Sequence, residues 1–198
     1  MARLKRLLRQ IWLLVSRPAA TLSLGFLTLG GFVGGVMFWG GFNTALEVTN
    51  TEQFCISCHE MRDNPWPQLQ KTSHYNNAAG IHATCADCHQ PKEFIPKVAR
   101  KIEASREVWW SLMGLIDTPE KYAAHAPAMK AREIARLRAN DSQECRNCHV
   151  VERMQLELQS AKAQEYHQAM ASNGKTCIDC HAGIAHPDNS GQPLADRE

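Results

Sequence analysis

All eight cysteines of the 198-residue chain fall into four copies of one five-residue pattern. They are Cys55-Ile56-Ser57-Cys58-His59, Cys85-Ala86-Asp87-Cys88-His89, Cys145-Arg146-Asn147-Cys148-His149 and Cys177-Ile178-Asp179-Cys180-His181, and none is left over. Two thiols three positions apart, with a histidine directly after the second, form the attachment pattern of a c-type haem. The thiols bond the two vinyl groups of the porphyrin and the histidine under the ring binds iron, so the macrocycle itself sets the spacing. A single copy reads equally well as a redox C-x-x-C or half a zinc site. Four copies do not, because zinc needs no such histidine and a disulfide framework has no reason to repeat one short spacing four times. Four covalently bound haem c groups are therefore expected.

Iron in an electron-transfer haem takes a second axial ligand, commonly His or Met. Beyond the motif histidines His59, His89, His149 and His181, the chain has His74, His82, His125, His167 and His186. His74 lies between the first and second quintets, His167 between the third and fourth, and His186 five residues after the fourth. The chain thus carries a rough two-fold repeat, read as two dihaem halves at about 43–115 and 116–198. His74, His167 and His186 are read as distal ligands, His82 and His125 as surface or capping residues. Which distal histidine serves which haem is left open, although a reading based on the repeat crosses ligands between motifs.

Five of the 22 basic residues precede position 18, namely Arg3, Lys5, Arg6, Arg9 and Arg17, and no acid appears before Glu47. The run 19–42 carries no charge. About 20 apolar residues suffice for a helix to cross a bilayer. The run ends in Phe38-Trp39-Gly40-Gly41-Phe42, an interfacial aromatic anchor rather than the small residues of a cleavage site. We read 1–18 as a basic cytoplasmic segment, 19–42 as an uncleaved transmembrane signal-anchor, and 43–198 as the exported, periplasmic part. Lys and Arg ahead of the span place the N-terminus inside. Gly30, Gly31, Gly34 and Gly35 form two overlapping G-x-x-x-G pairs, which suit a helix–helix homodimer and equally suit a lipid-facing surface. The formal charge of +2 leaves no electrostatic footprint for nucleic acid.

The exported part reads as helical, with little strand. Asp117-Thr118-Pro119-Glu120 is a helix start. Helices are expected over about 95–115, 128–139 and 151–171, the last closed by Asn173-Gly174. Their apolar stripes are thin, so haem is expected to supply much of the core. The fold class is all-α: one N-terminal membrane helix and a haem-packed multihaem domain.

Four stretches carry a family resemblance: Cys-x-x-Cys-His-x-Met at 55–61, Cys-Ala-Asp-Cys-His at 85–89, Ile-Asp-Thr-Pro-Glu-Lys at 116–121 and Cys-Ile-Asp-Cys-His-Ala-Gly-Ile-Ala-His at 177–186. With the basic start and single span, the chain resembles the NapC/NirT family of membrane-anchored tetrahaem quinol dehydrogenases over almost its whole length. The resemblance implies electron transfer from membrane quinol through four haems to a periplasmic reductase or its small cytochrome subunit, of the nitrate reductase type, at the inner membrane of a bacterium. It implies a distal ligand at His186. It also marks Met61 as a ligand of the first haem in place of His59. Several members have Cys-His-x-Pro-His after the second motif, where this chain has Lys92. The family further implies a quinol pocket near the first haem, with a lysine and an acid at the places of Lys101 and Glu107. The first motif begins 13 residues after Phe42, which suits a place near the membrane. Quinol oxidation releases protons and needs a base. The alternative reading is a haem enzyme that reduces a small molecule such as nitrite or hydroxylamine.

Overall fold

The computed structural model describes residues 2–15 and 21–186. Among these residues all regular structure is helical, and no strand is present, as the all-α reading expects. The chain divides into two units, Met1–Ala45 and Leu46–Glu198.

The first unit opens with α1, Ala2–Val15. Leu4, Leu7, Leu8, Ile11 and Trp12 recur at the spacing of one helix face, and Arg6 and Arg9 stand on the other. Reading this segment only as a run of positive charge overlooked that period. The second helix, α2, spans Leu24–Val48 and is long and apolar enough to cross a membrane. The expected span began at Ala19, which with Ala20 lies outside the described residues. Ser23 starts α2 by accepting the Phe26 N–H on its hydroxyl at 3.2 Å. The helix runs on past Phe42 because Asn43 and Thr44 donate side-chain hydrogen bonds back to the carbonyls of Trp39 and Gly40, at 2.8 and 2.9 Å.

In the second unit, short helices surround two long ones. In chain order they are α3 (Glu52–Cys55), α4 (His59–Asp63), α5 (Pro65–Leu69), α6 (Cys85–His89), α7 (Phe94–Leu112), α8 (Pro119–Ala139), α9 (Gln143–Arg146), α10 (Ala161–Asn173) and α11 (Cys177–His181). Helix α7 ends where Gly114 adopts φ +69°, a left-handed C-terminal turn that an L side chain resists. Thr118 caps α8 by accepting the Lys121 N–H at 3.3 Å, with Pro119 in the first turn. The helix expected from Ala128 is the second half of α8, which continues unbroken through Pro127. The helix expected from Val151 is replaced by two 3-10 turns, Val151–Arg153 and Leu156–Leu158. α10 starts only after Ser160, whose hydroxyl accepts the Ala163 N–H at 3.3 Å. Ser160 is thus the stronger start signal. Gly174 at φ +66° closes α10 as expected.

Few apolar side chains are buried among the described residues: Leu46, Leu69, Ile116, Leu137 and Ile178. That core is small for a unit of this size. The thin stripes of α7 and α8 therefore do not close on each other as in an ordinary helical bundle.

Candidate haem-binding site

Each quintet sits on or beside a helix too short to be stable alone. The second and fourth occupy α6 and α11 whole. Positions i and i+3 share a helix face, so a single turn presents both sulfurs to one side. Both turns are stapled alike. Asp87 accepts the Thr84 N–H at 2.9 Å and its hydroxyl at 2.6 Å. Asp179 accepts the same groups of Thr176 at 2.8 and 3.0 Å. The first quintet is split: Cys55 ends α3 and His59 opens α4. The third begins in α9 and leaves it before Cys148.

The four attachment sites form a contiguous row. α3 packs on α6, α6 on α9, and α11 on α8. A hydrogen bond with the Cys85 thiol draws Cys55 down to about 7. Burial, and then Cys145, push Cys88 up to about 11. Once haem is attached these sulfurs are thioethers, so it is their closeness that carries through to the loaded protein. The row is fastened through Asp141 and Ser142, two consecutive residues at φ 56° and 51°. Ser142 is fully buried, and its hydroxyl accepts the Ile178 N–H at 3.2 Å, tying the third quintet to the fourth.

Three pairs of imidazoles face each other. His74 and His149 have ring centres 6.1 Å apart with planes at 72°. His89 and His186 lie 6.2 Å apart at 28°, and His167 and His181 6.2 Å apart at 31°. A metal bonded at roughly 2 Å to an imidazole nitrogen on each side, plus roughly 1 Å from each nitrogen to its ring centre, requires about 6 Å between centres. The free nitrogens fit as well. His89 Nδ1 is bonded to Glu133 Oε1 at 2.8 Å and His167 Nδ1 to Gln159 Oε1 at 2.6 Å, which leaves Nε2 of each ring as the donor. Metal binding needs neutral imidazole. Burial pulls His186 down to about 4, helped by His89 and Lys130. Burial likewise lowers His74 and His181, with their neighbouring histidines adding to it. Among the described residues no cluster of three or more His, Cys, Asp or Glu offers a full metal shell. Two axial donors per site suit a metal whose other four ligands come from a macrocycle. The donor set therefore fits haem.

His59 differs from the other motif histidines. Its Nε2 is bonded to the Asp117 carbonyl at 3.1 Å, and no second histidine ring stands against it among the described residues. Met61, two residues on, is half-buried in α4. Of the two histidines set aside from ligation, His82 lies against Tyr75, and His125 bonds the Lys121 carbonyl beside Trp110.

The two residues of the expected quinol pocket have different neighbours. Lys101 Nζ donates to Thr49 Oγ1 at 2.7 Å, and burial lowers its pKa while Cys55 of the first quintet pulls the other way. Glu107, six residues further and so about 120° around α7, accepts from Arg132 at 2.9 Å. It lines a cleft with Arg100, Glu103, Arg106, Met129 and Glu133. Sequence reasoning missed Glu60, buried in α4 and bonded by the Ser111 hydroxyl at 2.5 Å. It also missed Glu133, Arg136, Gln159 and Ser142. No local motif flags these four, whereas the doubled Thr-Cys-x-Asp-Cys-His was visible and went unused.

The profile of the NapC/NirT cytochrome c family, N-terminal region, matches residues 17–190. The cytochrome c-type protein NapC of Paracoccus pantotrophus is 54% identical over 183 residues, covering 91% of this chain and 77% of that protein. The denitrification system component NirT of Stutzerimonas stutzeri is 51% identical over 173 residues, covering 87% and 86%. The NapC of Escherichia coli K12 is 50% identical over 180 residues, covering 91% and 90%. No solved structure matches. A match of this extent, on a chain whose four quintets, paired imidazoles and single apolar span stand as described, is decisive: the chain belongs to the NapC/NirT cytochrome c family, with covalently bound haem c as its cofactor.

Proposed function

We propose that this protein takes electrons from membrane quinol and passes them through four covalently bound haem c groups to a periplasmic reductase, that of nitrate in the first instance. The observation that carries the reading is the set of three imidazole pairs, one at each of quintets two, three and four. Each haem iron supplies a one-electron couple. His74 and His149, His89 and His186, and His167 and His181 would hold three irons between two nitrogens each. Met61 would serve the first, since His59 already commits its Nε2 to the Asp117 carbonyl. Two dihaem halves describe the sequence, but two of the three pairs cross between them. The relatives named NapC and NirT, one of them a denitrification component, support the choice of partner.

Residues 19–42 form the single span, with 1–18 inside and 43–198 in the periplasm. The basic face of α1 and Arg17 on one side of that span support the orientation. Lys101, close enough to Cys55 of the first quintet to act on its thiol, would hold a quinol oxygen, and Glu107 is an acid six residues on along the same helix. The α2 glycines leave a homodimer open to test. The direct test is to mix the detergent-solubilised holoprotein with a reduced quinol and follow the haem absorption bands, then add the oxidised partner reductase. Reduction by quinol followed by reoxidation supports the reading. Reduction by dithionite alone sinks it.

His59's lack of a facing histidine favours one second reading, a haem with an open side that reduces nitrite or hydroxylamine. Turnover of either by the isolated protein with a chemical reductant would establish it. Its absence, with quinol-driven reduction intact, leaves electron transfer.

A further inference from the structure

We propose that Glu133 is a positioning residue that sets the potential of the haem on the second quintet. By accepting the Nδ1 proton of His89 it fixes that ring as an Nε2 donor and holds its iron at a lower potential than a neutral partner would. The proposal rests on reading His89 and His186 as an axial pair.

The six paired imidazoles are not treated alike by the chain. His167 has the neutral amide of Gln159 on its far nitrogen, and the buried Nδ1 of His74 has no hydrogen-bond partner among the described residues. Among the described residues only His89 has a carboxylate there, at 2.8 Å. Glu133 is well placed for that task and little exposed, with a side-chain accessibility of 19%. Arg136, one turn on along α8, grips it at 2.7 Å, and Arg100 of α7 reaches its other oxygen at 3.1 Å. Arg136 is itself held by the buried Glu144 at 2.6 Å and reaches the Cys88 carbonyl at 3.4 Å. Two carboxylates and two guanidinium groups thus form a charge-balanced frame behind one ligand.

A carboxylate on the far nitrogen of a metal-bound imidazole orients the ring and raises its basicity. A more electron-donating ligand favours oxidised iron. Hydrogen bonding and local charge are among the protein's levers on haem potential. The arginines draw on the same carboxylate and temper it. Removing the carboxylate and removing an arginine must therefore act with opposite signs, which a residue that only supports the fold would not do.

The experiment is a redox titration of the full-length holoprotein in detergent, resolving the haems by optical and EPR signals. Glu133→Gln should move one haem to higher potential, on the order of tenfold in its oxidised-to-reduced ratio, or about 59 mV for a one-electron couple. Four attached haems and low-spin iron should be retained. Glu133→Asp should restore part of the shift, and Arg100→Gln should move the same haem downward. His186→Met identifies that haem independently by changing its axial signature. If His186→Met alters one haem while Glu133→Gln leaves all four potentials in place or lowers one, the proposal fails and the pairing stands. If His186→Met alters no haem, or a different one from Glu133→Gln, the pairing itself fails. Should Glu133→Gln not assemble, Arg100→Gln decides: no downward shift overturns the proposal.

Discussion

The ring of His186 faces that of His89, with centres 6.2 Å apart and planes at 28°, although the two residues are far apart in the second unit's sequence. Exchange of either ring should be felt by a single iron. Replacing His74, His167 or His186 by Ala is expected to convert one haem each from low to high spin without loss of covalent haem. Replacing His82 or His125 should leave the spectrum unchanged. The His74–His149 pair, with its planes at 72°, should give a low-spin EPR signal more anisotropic than the two nearly parallel pairs, and that signal should be the one lost in His74→Ala. Loss of a parallel-type signal instead would break the assignment.

A second expectation concerns electron entry. Lys101 sits beside the first quintet, while Glu107 is paired with Arg132. Lys101→Leu and Glu107→Gln should slow quinol-driven haem reduction by roughly a hundredfold or more, the low end of what a placed acid or base contributes. Dithionite reduction should be unaffected. Stopped-flow mixing with a reduced quinol measures both. Parental rates in both variants would move the entry site elsewhere.

Ser142 offers a stability test at the joint between the third and fourth quintets. Its buried hydroxyl is the acceptor for the Ile178 N–H at the start of the fourth quintet. Ser142→Ala strands that donor, at a cost of about 1–3 kcal/mol. Ser142→Gly relieves the left-handed backbone but loses the same bond, so it should fall between the parent and Ala. Denaturant midpoints of the three holoproteins, compared at equal haem content, provide the check.

Two carboxylates set the acid side of the pH response. Burial pushes Glu133 up, but bonds from His89 and Arg136 outweigh it and hold the group well below the usual range. The Thr176 backbone N–H, and then Arg138, hold Asp179 below it as well. A depressed carboxylate contributes stability that is fully present above its unfolded value of about 4 and is lost as pH falls through the folded value. Their contribution to the unfolding midpoint should thus be flat from pH 7 to 5 and be lost below about pH 4, beneath a decline that the buried histidines, whose pKa values are lowered in the fold, begin as pH falls below about 6.5. Asp179→Asn should flatten part of that drop.

The cofactor pattern and the helical class were legible in the sequence because they depend on local spacing: Cys-x-x-Cys-His, the Thr118-Pro119 start, the Asn173-Gly174 stop. Three of the five free histidines could be singled out by position. Their partners could not, because His74 meets His149 and His186 meets His89 through packing of distant turns. Glu133 escaped for the same reason, since nothing near it in the chain announces that it will meet His89. The helix expected from Val151 lacked a cap at its start, whereas Ser160 carries one and α10 begins there.

The crossed pairing sets an order on assembly. The second quintet is synthesised early, yet the ring that faces its histidine, His186, follows the fourth quintet. The third quintet, by contrast, emerges to find His74 already waiting. A nascent or clipped chain that ends between His181 and His186 carries all four quintets and lacks the ring that faces His89. On the proposed pairing, the second quintet is complete only once the segment after the fourth has been made.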